Sequence, residues 1–189
     1  MRSRACLPIL SLTVIATALS AFGLEHAVAG TVTKVDSKAK TIVVKTADGA
    51  EEAFKFTGHT AMRAAKGGGE LAKKGSVDTY LAGKEGTHVV VRYSGEGAEK
   101  TATAVDDFGK DAFKASKGTV TRADKLARTI TVKTEDGAEE TYGVAKDASV
   151  DTEHGIVKGS EYAAKKGEKV TVHYTEEAGS KVAHFVKHM

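Results

Sequence analysis

The chain has 189 residues, with 28 Lys and Arg against 25 Asp and Glu, a formal charge of +3 and 6% aromatic residues. So small an imbalance supplies no strong electrostatic pull toward nucleic acid or anionic membrane. The only Cys is Cys6, and the sequence lacks Trp, Asn and Gln, which removes disulfides, the widest stacking face and the paired amide groups that read sugars and base edges.

Residues 1–29 read as an export signal. Arg2 and Arg4 form a basic start, Leu7 to Leu24 is largely apolar, and Ala27-Val28-Ala29 fits the small-residue rule for signal-peptidase cleavage. The expected mature chain begins at Gly30 and carries 26 basic against 24 acidic residues. Ser and Thr within the apolar stretch and the Ala-Val-Ala site argue against an uncleaved anchor, and Cys6 stands at the wrong end for lipid attachment. The expected location is periplasmic or secreted, with no membrane span after cleavage.

The segment that follows occurs twice. Gly30 to Glu52 recurs as Gly118 to Glu140, identical at 16 of 23 positions without a gap. In the first copy, Gly30 to Asp36 is a predicted strand in which Val32 and Val35 lie three apart. Burying both requires a bulge or sharp coil. Thr41 to Thr46 is the second strand, with Ile42 and Val44 inward, and Asp48-Gly49 suits a tight hairpin turn. Glu51 to Phe56 is the third, directing Phe54 and Phe56 to the core. The second copy repeats the pattern with Ile130, Val132, Asp136-Gly137, Tyr142 and Val144.

The copies then diverge. Their offset falls from 88 at Gly30/Gly118 to 81 at Gly86/Gly167, so the first copy carries seven extra residues near Ala64 to Val77, where Gly67-Gly68-Gly69 marks a loop. A final hairpin pairs His88 to Tyr93 with Lys100 to Val105, and Lys169 to Tyr174 with Ser180 to Lys187. Val89, Val91, Tyr93, Val170, Val172 and Tyr174 are expected inside. The domain reading is a first barrel over 30–105, a linker over 106–117 and a second barrel over 118–189. Phe108 and Phe113 are expected to dock the linker on the barrels and fix the pair.

The run Gly-Thr-Val-Thr-x-x-Asp, a turn, Thr-Ile-x-Val-Lys-Thr, Asp-Gly, a third strand, a variable loop and a Gly-led Val-x-Val strand resembles the small OB-like barrel domains of unknown function in exported bacterial proteins. The strand order is also similar to the periplasmic copper and silver efflux chaperones. The resemblance implies an all-β chain of two tandem small five-stranded OB-like β-barrels. The chaperone family holds its metal with a His and a Met pair beside a Trp. Here Met62 stands alone, its partner position is Val150, and Trp is absent.

Other site chemistry is sparse. His173 and His184 fall at outward positions of consecutive strands, opposite each other if the turn centres near Ala178-Gly179, and His188 lies just beyond. These three are the candidate Zn or Cu ligands. Their counterparts Arg92 and Thr103 instead suit ordinary solvent-facing positions. His59, His88 and His154 read as surface or loop residues. Arg63, Lys66, Lys73 and Lys74, with Lys165, Lys166 and Lys169, form basic loops suited to an anionic polymer, although Glu70, Glu161 and Glu168 interleave with them. Phe54, Phe56, Tyr93, Tyr142, Tyr174 and Phe185 all map inward, which leaves no stacking platform for single-stranded nucleic acid. Neither a nucleophile elbow nor a zinc-binding His-Glu helix occurs, and acid pairs such as Glu51-Glu52 and Asp106-Asp107 sit at strand ends. The expectation is a non-enzymatic binding or envelope-interaction module without a cofactor, its partner an envelope protein or anionic polymer. The alternative is a periplasmic Zn or Cu protein.

Overall fold

Alternating β-branched residues and paired turn signals give strands almost throughout, as the computed structural model shows for residues 23–64, 70–72, 77–110 and 113–189. The first half contains β1 (His26–Asp36), β2 (Thr41–Thr46), β3 (Glu51–Lys55), β4 (Ala61–Ala64), β5 (Glu70–Ala72), a one-turn helix α1 (Val77–Leu81), β6 (His88–Ser94) and β7 (Thr101–Gly109). The second contains β8 (Lys114–Asp124), β9 (Thr129–Thr134), β10 (Glu139–Thr152), β11 (Gly155–Lys158), β12 (Lys169–Glu177) and β13 (Ser180–His188).

Each half closes on itself. In the first, neighbours run β3-β2-β1-β6-β7, and a parallel contact between β3 and β7 at Lys55 and Thr101 completes a five-stranded ring. The second runs β10-β13-β12-β8-β9 and closes where β9 meets β10. There β10 does the work divided between β3 and β4 in the first half. It pairs antiparallel with β9 through Gly143, breaks after Val144, and resumes parallel to β13 at Ser149.

The expected bulge is present in both halves. Register shifts between Val32 and Lys34 on β1 and between Val120 and Arg122 on β8 coil the strand as barrel closure requires. Val32 is buried and Val35 packs partly against the same core, whereas Ala123, the counterpart of Val35, stays exposed. Ile42, Val44, Phe54, Phe56, Val89 and Val91 fill the first barrel, closed at one end by Val77 and Leu81 of α1. Val120, Ile130, Val132, Tyr142, Val170, Val172 and Tyr174 fill the second.

Gly30 and Gly118 permit close strand approach: a Cβ at these positions would lie 2.3 Å and 2.2 Å from the carbonyl oxygens of Lys45 and Lys133. The expected insertion falls partly on residues 65–69 and 73–76, outside the described residues, and Lys66, Lys73 and Lys74 lie there; Glu70–Ala72 forms β5.

Strand extends beyond two expected boundaries. β1 starts at His26 rather than Gly30, and β7 and β8 take up most of the segment read as a linker. Phe108 and Phe113 stack on each other at 4.6 Å between ring centroids, beside a cluster of Ala27, Ala29, Val90 and Phe185 that joins the halves. Ile156 of β11 packs against the same cluster. Two polar contacts reinforce it: His26 Nδ1 lies 2.9 Å from Asp151 Oδ1, and the Ile156 N–H donates to the Glu25 carbonyl at 3.1 Å.

Phe185 corrects the inward assignment. The β12–β13 hairpin starts in the register expected from the sequence, with Glu177 opposite Ser180 and Tyr174 opposite Ala183. It then slips by one, so His173 faces Phe185. His184 is the extra residue, and beyond it the two faces exchange: Val186 enters the barrel core while Phe185 joins the cluster between the barrels. β7 has the same slip at Thr103, with Arg92 opposite Ala104.

Candidate functional site

Where the outer faces of the two barrels diverge from their shared apolar contact, they leave a cleft of about 740 Å³, within the range of small-ligand sites. Arg63, Arg92, Asp106 and Phe108 line it from the first half; Lys146, Ile156, Lys158 and His184 line it from the second. Four of them are positioned by an identifiable irregularity or strand end. Arg92 and His184 sit at the two equivalent hairpin slips, Lys146 lies in the break of β10, and Lys158 ends β11.

The guanidinium of Arg92 donates through one terminal nitrogen to both Asp106 oxygens, at 3.0 and 3.2 Å, while its buried Nε has no hydrogen-bond partner. Being buried, that Nε is turned away from the cleft, and Arg92 reaches the cleft through the rest of its side chain. Arg63, Lys146 and Lys158 add positive charge, while Asp147 and Glu161 oppose it. Phe108 and Ile156 supply an apolar part of the wall. The arrangement suits an anionic group carried on a partly apolar or extended molecule.

The three candidate metal ligands occupy different settings. His173 is buried and stacks on Phe113 at 5.5 Å, with Phe185 also 5.5 Å away. Burial lowers its pKa to about 4, with Lys187 and Lys117 adding to the effect. His184 contacts Phe108 edge-on at 5.1 Å, and its Nε2 lies 2.8 Å from the Thr175 hydroxyl. His188 Nε2 lies 3.0 Å from the Tyr162 hydroxyl and 3.8 Å from Glu168. The hairpin slip therefore replaces the expected His173–His184 opposition with His173–Phe185. Among the described residues, no group of three or more His, Cys, Asp or Glu is placed to hold a metal ion. Met62 is fully buried in the first barrel core. His59 and His154 are exposed, but His88 has a partner the sequence did not reveal, the Thr31 hydroxyl at 3.1 Å, and also faces Phe113.

Two further clusters escaped sequence reasoning. Lys100 lies over the rings of Tyr93 and Phe54 and ion-pairs with Glu52; Lys181 lies over Tyr174 and Tyr142 and pairs with Glu140. The Lys181 ammonium, aided by the Tyr142 hydroxyl, lowers the Glu140 pKa. The shared Glu-Glu-x-Phe/Tyr spacing signals these matched caps, which read as structural. Near α1, burial pushes the Asp107 carboxyl up. Hydrogen bonds from Tyr80, the Gly109 N–H and Lys84 outweigh that and leave its pKa lowered.

No family model matches the chain, and no curated protein matches it. Among solved structures, silver-bound CusF matches with a TM-score of 0.33 and 12% identity, over 41% of this chain and 99% of that one. Apo-CusF residues 6–88 from Escherichia coli matches with a TM-score of 0.32 and 11% identity, over 43% and 95%. A third structure, CusF with Ag(I), residues 10–88 from Escherichia coli, gives 0.31 and 15% identity over 47% and 96%.

Proposed function

We propose that this chain is an exported, non-catalytic binding module of the cell envelope, and that the cleft between its barrels takes an anionic polymer. The basic lining of the cleft carries this reading: Arg63, Lys146 and Lys158 border it from both halves, beside the apolar wall of Phe108 and Ile156. A flexible polyanion can follow such a cleft from one barrel to the other, gaining several modest charge contacts in place of one deep pocket.

Calorimetric titration with dextran sulfate, using neutral dextran as control, tests the proposal. Binding is expected for the sulfated polymer only. It weakens with added salt and falls at least about tenfold in the Arg63→Ala/Lys146→Ala/Lys158→Ala variant. Equal response to both dextrans, or undiminished binding by the variant, refutes the assignment.

A further inference from the structure

Resting on the export reading, we infer that leader cleavage falls upstream of His26 and that the working protein keeps His26–Ala29 as the first part of β1. The observation is how fully these residues are used. His26, Ala27, Val28 and Ala29 pair in antiparallel register with Tyr93, Arg92, Val91 and Val90 of β6. Val28 belongs to the core of the first barrel, whereas Ala27 and Ala29 point the other way and pack with Val90 and Phe185 between the barrels. His26 meets the buried Asp151, and the Glu25 carbonyl accepts the Ile156 N–H.

The second half supplies an internal control. Lys114, Ala115, Ser116 and Lys117 occupy the same place ahead of Gly118 and pair with Tyr174, His173, Val172 and Thr171 of β12. Both β1 and β8 thus contain 11 residues, with the bulge at the same distance from the start. The structural unit begins four residues before the conspicuous Gly-Thr-Val-Thr identity. Cutting after Ala29 would leave only one barrel with its complete first strand. It would also unpair one edge of β6, uncover Val90 and Phe185, and place a charged α-ammonium within the interior stretch of β1.

Packing accounts for the small residues at 27 and 29, because the contact between barrels lies directly against them. The Ala-Val-Ala pattern therefore need not be a processing signal. Of the small-x-small tripeptides upstream, Ala21-Phe22-Gly23 lies nearest to β1, and cleavage after it leaves Leu24 as the first residue.

The test is to produce the full chain in an export-competent bacterial host and determine its N-terminus by intact mass and Edman sequencing. A start at Leu24 is expected, and any processed start between Ala21 and His26 supports the inference. A start at Gly30 overturns it while leaving export intact; an unprocessed Met1 overturns the export reading itself. Ala29→Leu provides a second arm that does not require folding. It removes the small residue needed by the downstream site, so an unchanged processed N-terminus is expected, and a lost or displaced cut overturns the inference.

Discussion

Acidification should loosen the joint between the barrels through His173. Its ring is buried against Phe113 and Phe185, and its pKa is lowered from 6.5 to about 4. The folded protein therefore holds the ring neutral at pH values where the unfolded chain binds a proton. Unfolded protein binds more protons between pH 6.5 and about 4, so stability rises with pH across this window and is lost as pH falls. Integrating the linkage gives a loss of about 2 kcal/mol at pH 5 and about 3 kcal/mol at pH 4, relative to neutral pH. Urea denaturation of the wild type and His173→Phe at pH 7.5, 6, 5 and 4 measures this as a difference of slopes, in which the contributions of unaltered groups cancel. The variant is expected to lose about 3 kcal/mol less than the wild type over the range. Parallel stability curves would refute the assignment of a buried neutral imidazole.

Gly118→Ala forces a Cβ against the Lys133 carbonyl and should cost roughly 3 kcal/mol by thermal denaturation. Gly143→Ala, whose Cβ meets nothing closer than 3.9 Å and whose φ is not left-handed, should instead stabilise the chain by up to about 1 kcal/mol. Ala178 and Gly179 form a two-residue hairpin turn with φ values of 47° and 80°, so Ala178→Asn should stabilise the chain by about 0.5–1 kcal/mol. Phe108→Ala should cost roughly 2 kcal/mol and speed limited proteolysis between the barrels, as followed by mass spectrometry. Zn and Cu titration should show no micromolar heat that disappears in His173→Ala/His184→Ala, because His173 would have to leave its aromatic stack to coordinate. Such a heat, lost in that variant, would restore the histidine metal site.

Chain chemistry alone determined the all-β class, the principal barrel residues and the bulge in the first strand. Each depends on local spacing: Ile42 and Val44 alternate, Val32 and Val35 do not, and Asp48-Gly49 supports the turn between strands. Tertiary structure decided which outer faces became interior. Ala27, Val90 and Phe185 look unremarkable along the sequence, and His26 is 125 residues from Asp151. The one-residue slip at His184 changed the site most, since a period of two turns a single extra residue into exchanged faces, moving Phe185 out of the barrel and into the place opposite His173 that His184 was expected to hold. The cleft was likewise illegible, because Arg92, Lys146 and Lys158 come together only when two closed barrels dock, and docking depends on shape complementarity that no local pattern records.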